Sequence, residues 1–168
     1  ASFALLQRES EAACGRLLGH GESSDGHHMS SPHPEGAGAV IAMRAALAQA
    51  ELAAADVDYI NLHGTATTNN DAAEDLAVCR VFGRNVPVSS TKGATGHTLG
   101  AAGGLEAAIA LLALQHGIVP PGLNVREPDT TLHANYVREP LRRRLRAVAS
   151  NSFGFGGSNA CLVFGTKP

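Results

Sequence analysis

Two stretches of this chain follow one plan: a short apolar run, a loop rich in Gly and Thr that carries a histidine, then a helix-favouring run. The first is Val57 to Leu62 leading into His63-Gly64-Thr65-Ala66-Thr67. The second is Val86 to Ser90 leading into the loop that holds Lys92, Thr95, Gly96 and His97. A strand that turns directly into a helix is the repeating unit of an open α/β sheet, and such sheets bind ligands beyond the carboxyl ends of their strands. A third Gly-rich loop, Asn151 to Asn159, follows the strand-like run Arg146 to Ala149, so three loops are expected to meet at one end of one sheet.

The remaining segments extend this pattern. Ala1 to Gln7 and Arg16 to Glu22 read as strands, with polar, helix-favouring residues Arg8 to Ala13 between them and a Ser/His/Pro/Gly loop from Ser23 to Gly36 after them. Ala37 to Ala50 reads as a helix with Val40, Met43 and Leu47 on one face. Asp71 to Phe82 reads as a helix with Asn69-Asn70-Asp71 as cap candidates and Glu74 in the first turn, ended by Gly83. Leu99 to His116 is apolar on nearly every side, which places it between layers. Its core, Leu99 to Leu114, holds Glu106 and three glycines and is slightly short for a membrane span. Gly122 to Leu145 is a long irregular connection, and Arg146 to Ala149 and Ala160 to Phe164 form a hairpin across the last Gly-rich loop. The fold class expected is α/β: a mixed, mostly parallel five-stranded sheet with one antiparallel strand, a buried apolar helix and a C-terminal hairpin.

Composition narrows the function. A net charge of −2 over 168 residues favours neither nucleic acid nor an anionic membrane. Cys14, Cys79 and Cys161 are odd in number and widely spaced, which points to a reducing, cytoplasmic setting instead of a disulfide or zinc framework. His63 and His97 suit three roles: metal ligand, general base, or neutral donor to an oxyanion. A metal site needs further ligands, and only His27-His28 offers any, so no metal is expected. Lys92 is either a solvated lysine or a cation that keeps a nearby imidazole neutral. Gly154, Gly156 and Gly157 allow backbone N–H groups to face a developing negative charge, as in an oxyanion hole. The run Arg142 to Arg146 reads as a solvated face more readily than as a docking patch.

Four stretches together resemble the C-terminal half of a β-ketoacyl-[acyl carrier protein] synthase of the thiolase superfamily. They are Asp58-Tyr59-Ile60-Asn61-Leu62-His63-Gly64-Thr65, Ser89-Ser90-Thr91-Lys92 with Thr95-Gly96-His97, Asn151 to Gly157, and Ser24-Asp25-Gly26-His27-His28-Met29. The resemblance implies a thiolase-like half-fold. Residues 1–15 are then a remnant of the last strand and linker of an N-terminal half, and 16–168 the C-terminal ketosynthase domain. It implies decarboxylative condensation of malonyl carrier protein with an acyl-enzyme, in fatty acid or polyketide/polyene synthesis. His63 and His97 match the donors to the enolate, Lys92 the lysine supporting the second histidine, and Glu106 the acid anchoring that network. Phe155 matches the gating phenylalanine, and Thr65 and Thr67 the threonines that bind phosphopantetheine.

None of the three cysteines stands where the family places its nucleophile, so that group is expected in the other half and this chain alone is expected to be inactive. No cofactor is implied beyond the phosphopantetheine arriving on the acyl carrier protein. Implied partners are that carrier protein, the N-terminal half, and a second ketosynthase subunit in a homodimer or heterodimer. Ala66, where Ser or Thr is usual, and Thr68-Asn69-Asn70, where a Pro and often a Gly are common, alter the mouth of the pantetheine channel. A non-catalytic subunit of chain-length-factor type shares the fold but commonly loses the histidines, and a degradative thiolase has different histidine and cysteine motifs.

Overall fold

The computed structural model describes residues 2–8, 11–127 and 129–166. Among the described residues there are eight strands and four helices, with strand and helix alternating through the first half of the chain. They are β1 (Arg16–Ser24), α1 (Ala37–Ala50), β2 (Tyr59–Asn61), α2 (Thr68–Phe82), β3 (Pro87–Ser89), α3 (Lys92–Thr95), α4 (Ala102–His116), β4 (Ile118–Val119), β5 (Asn135–Tyr136), β6 (Leu141–Arg142), β7 (Ala147–Gly154) and β8 (Ser158–Gly165).

Six strands form one sheet in the order β1-β8-β7-β2-β3-β5, and β4 pairs with β6 in a separate two-stranded ribbon. Strands β7, β2, β3 and β5 pair in parallel, and β8 runs antiparallel between β7 and β1. The mixed sheet with one antiparallel strand is therefore as expected, but it has six strands, not five. The extra strand, β5, is two residues long and lies inside the segment read as irregular. Its register, Val88 opposite Tyr136, comes from pairing with β3, which local sequence does not encode.

The sheet has a helix layer on each face. One cluster joins α1 and α2 to Ile60, Val88, Ala149, Cys161 and Val163; the other joins α4 to Tyr59, Val148 and Phe164. Adjacent residues such as Tyr59 and Ile60 fall in opposite clusters, as the two-residue period of a strand demands. Gly19 and Gly21 let α1 lie close on β1, since a Cβ at either would sit 2.3 Å or less from helix carbonyl oxygens.

Three expectations need correcting. Ala1 lies outside the described residues, and residues 2–7 form no strand; Phe3, Leu5 and Leu6 stand exposed, and no described strand pairs with them. A strand is stable only where a neighbour completes its hydrogen bonds. The stretch Arg8 to Ala13, of which Glu9 and Ser10 are not described, shows no helix either. Finally, α4 packs one face on the sheet, through Ala102, Glu106, Ala110, Ala113 and Leu114, while Leu112 is exposed on the other. The run Leu99–His116 is apolar and long enough to cross a membrane, yet only 28% of it is buried here, because this chain places a layer on one side of it alone.

Candidate active site

The three loops come together at the carboxyl ends of β2, β3 and β7. The His63 and His97 rings are 5.4 Å apart between centroids and meet edge to face at 84°. His63 is 6% exposed, and Phe153 from the end of β7 lies 5.6 Å from its ring. Burial, then the charges of Lys92 and His97, lower its pKa from 6.5 to about 3, so the ring is neutral at physiological pH. Its Nδ1 is buried without a partner among the described residues. A lone pair is cheaper to leave unpaired there than an N–H, which puts the proton on Nε2. His97 is exposed, and its Nδ1 accepts the Leu99 N–H at 3.3 Å, so its neutral form also carries Nε2–H. The loops thus offer two imidazole donors side by side.

The backbone beneath His63 is held by side chains. Glu74 accepts the N–H of His63 at 2.9 Å and that of Gly64 at 2.8 Å, and also the Asn151 amide at 3.1 Å. Sequence reading placed Glu74 in the first turn of its helix. In fact α2 begins at Thr68, three residues earlier than expected, with Thr67 as its cap residue, so Glu74 falls a turn further on and faces the loop. Burial pushes its carboxyl up to about 7, against the three hydrogen bonds that favour the charged form.

Lys92, at the start of α3, forms an almost fully buried ion pair with Glu106 and donates to the His63 carbonyl at 2.5 Å. Burial raises the Glu106 pKa and the lysine opposes that rise. Lys92 therefore reaches the backbone of the first histidine, whereas the resemblance assigned it to the second. Glu106 Oε2 and Asn61 Oδ1 are buried acceptors without a partner among the described residues. Among those residues, however, no three His, Cys, Asp or Glu side chains come together as a metal site. His27 and His28 lie in the loop after β1, where His27 contacts His33 and His28 caps the N–H groups of Ser30 and Ser31.

The other expected residues are less enclosed. Thr65 and Thr67 join hydroxyls at 2.8 Å on the exposed lip of the first loop, around Ala66 with its left-handed φ of 59°. Phe155, 82% exposed, tips the turn between β7 and β8. Within that turn the Gly156 N–H is already bonded to the Met29 carbonyl at 2.7 Å, which removes it from the expected oxyanion donors. The arginine run lies at the opposite end of the sheet: Arg143 and Arg146 reach Asp58 at 3.5 and 3.6 Å, and Arg146 immediately precedes β7. The eight residues of β7 put roughly 25 Å between that end and the Gly-rich turn.

Roles that sequence does not assign belong to Glu74 as a loop anchor, to Asn151 and Phe153 beside it, and to Ser90, whose hydroxyl donates to the Gly64 carbonyl. Asn151, Phe153 and Ser90 lie within the stretches that carry the resemblance, and Glu74 stands out as an acid flanked by Ala73, Ala77 and Val78 on the buried face of α2.

The fold and its loops define a thiolase-type α/β half, with the histidines at the carboxyl edge of the sheet. Residues 14–126 match the family model described as beta-ketoacyl synthase, C-terminal domain, and the chain belongs to that family. The chain is 44% identical over 155 residues to a mitochondrial 3-oxoacyl-[acyl-carrier-protein] synthase of Arabidopsis thaliana, an alignment of 88% of this chain and 34% of the plant protein. It is also 44% identical over 153 residues to 3-oxoacyl-[acyl-carrier-protein] synthase 2 of Vibrio harveyi, covering 88% of this chain and 37% of that protein. Among solved structures, a ketosynthase from Xenorhabdus doucetiae in complex with its chain length factor superposes with a TM-score of 0.89 at 45% identity, over 94% of this chain and 40% of that one. The chain therefore spans well under half the length of these relatives.

Proposed function

We propose that this chain is the enolate-stabilising part of a 3-oxoacyl-[acyl carrier protein] synthase. The observation that carries the reading is the pair of imidazoles 5.4 Å apart, one of them held neutral by burial and Lys92. Decarboxylation of a malonyl thioester breaks a C–C bond, releases CO2 and leaves the electron pair on an enolate oxygen. Two Nε2–H donors aimed at that oxygen stabilise the transition state more than the ground state, which is what accelerates the step. The enolate carbon then attacks the acyl-enzyme carbonyl, and the carbon–sulfur bond to the enzyme's thiolate breaks.

That thiolate comes from outside this chain. Cys161 is buried with its pKa pushed up to about 12, and Cys79 on α2 is also raised by burial, the opposite of what a nucleophile requires. Residues 1–15 act as linker to the half that supplies it, and 16–168 as the ketosynthase domain proper. Thr65 and Thr67 line the mouth and hydrogen-bond the phosphopantetheine arm of the carrier protein; no resident cofactor is required. Phe155, exposed at its turn, gates the acyl-enzyme, and Glu106 anchors Lys92. The complete protein works in the cytoplasm as a homodimer or as the catalytic subunit of a ketosynthase heterodimer. Solved structures similar to this chain that hold a ketosynthase with its chain length factor support the latter assembly, and one that holds a ketosynthase with an acyl-carrier protein supports the carrier protein as a partner. They also keep a second reading in view, a non-catalytic partner subunit, which the intact histidines and Lys92 disfavour.

The test is decarboxylation of malonyl carrier protein by the full-length protein and by its His97→Ala variant. A large loss in the variant is expected; undiminished decarboxylation sinks the assignment.

A further inference from the structure

The His63–Gly64 backbone has all four of its polar groups held by side chains from elsewhere. Both N–H groups go to Glu74, the His63 carbonyl to Lys92, and the Gly64 carbonyl to the Ser90 hydroxyl at 2.7 Å. The Ser90 oxygen in turn accepts the Lys92 backbone N–H at 3.3 Å. One hydroxyl thus ties the backbone beside the first histidine to the backbone that opens the second histidine's loop. The loops touch closely at this point: Gly64 has φ +39°, and a Cβ on it would stand 2.5 Å from the Ser90 Cβ. Ser89, one residue earlier, turns the other way; its hydroxyl meets the Tyr59 hydroxyl at 2.9 Å and the Pro120 carbonyl at 2.6 Å.

We infer that Ser90 is a positioning residue, which sets the spacing of the His63 and His97 rings by cross-linking their loops. Its hydrogen bonds run to backbone atoms, so it acts through the histidines and not on a substrate. Two donors that converge on one oxygen must be held to within roughly 0.5 Å, and a displacement of about 1 Å is enough to cost up to a hundredfold in rate. The inference rests on the proposed decarboxylation only for its kinetic part.

The experiment compares wild type, Ser90→Ala and Ser89→Ala in the full-length protein that carries this chain, with 15N-labelled histidine. Each variant deletes one hydroxyl from the same strand end and keeps the Cβ, so Ser89→Ala controls for the loss of a structural hydrogen bond. Ser90→Ala is expected to move the ring nitrogen signals of His63 and His97 and to lower kcat for malonyl carrier-protein decarboxylation roughly tenfold with KM unchanged. Ser89→Ala is expected to leave the ring signals in place. Ring signals that stay put in Ser90→Ala, or move equally in Ser89→Ala, overturn the proposal. Should Ser90→Ala not fold, Ser90→Cys keeps the shape with a weaker donor and must move the ring nitrogen signals of His63 and His97, and signals that stay put overturn the proposal. A wild-type protein that does not decarboxylate refutes the functional reading instead, and the ring signals still decide the role of Ser90.

Discussion

His63 and His97 are neighbours in space and opposites in environment. The first sits on a loop whose backbone is held from two sides, under Phe153, beside a buried ion pair. The second sits on the surface and is oriented by one local bond from Leu99, a residue itself in the left-handed region at φ 52°. The contrast shows two ways to orient an imidazole donor. Burial and charge fix the first through its surroundings, at the cost of several desolvated groups, whereas a short turn fixes the second by its tautomer alone.

If burial is what distinguishes the first loop, breaking its ion pair should have the largest effect. Lys92→Met leaves Glu106 buried without its counter-ion, and a loss of about 3–5 kcal/mol in urea unfolding is expected, mostly restored by adding Glu106→Gln. A smaller loss in the single variant would show that water reaches the pair. Gly64→Ala follows, because its side chain would strike Ser90 at a φ that disfavours any Cβ; about 2–3 kcal/mol should be lost, measured the same way.

Protonation separates the buried groups of the first loop by sign. The folded pKa of His63 lies below its ordinary value, so the unfolded chain binds the proton more tightly and stability falls as pH drops below about 6.5 toward 3. The folded pKa of Glu74 lies above its ordinary value, so its effect is reversed, and stability falls as pH rises from about 4.5 to 7. Between pH 7 and 5 each contributes about 2 kcal/mol of opposite sign, and they nearly cancel. Glu74→Gln should therefore lose stability on acidification over that range and His63→Gln should gain it; denaturant midpoints at both pH values would show the crossing. Parallel slopes in the two variants would mean that neither group is desolvated as described.

The smallest effect belongs to the second loop. Leu99→Gly relieves the left-handed turn at an exposed position and should raise stability by about 0.5–1 kcal/mol, after the added freedom of the unfolded chain is subtracted. A loss instead would show that the leucine is packed against something the turn needs.

Much of this architecture was legible before any coordinates. Ala37 to Ala50 was readable from the three- and four-residue spacing of Val40, Met43 and Leu47, a pattern that acts within a few residues. The N-terminus of α2 was misplaced because the Asn69-Asn70-Asp71 cluster imitates a cap, while the cap position falls on Thr67, whose hydroxyl bonds Thr65. The two-residue strands β4, β5 and β6 were invisible, being too short for any period to show. The arginine run read as a solvated face, and only in part is it one: Arg143 and Arg146 close on Asp58, which also accepts the Arg146 N–H at 2.7 Å.

The sequence by itself determined the alternation of strand and helix, the three loops at one end of the sheet, and the residue types able to donate to a negative charge. These follow from spacing and turn chemistry, which are local. Tertiary structure alone decided that Glu74 carries the first histidine's backbone, that Lys92 turns toward His63 and Glu106, that Ser90 joins the two loops, and that β8 lies between β1 and β7. Each of these pairings brings together groups from different elements, and which buried acceptor meets which donor depends on how the layers pack, a quantity no short window of residues contains.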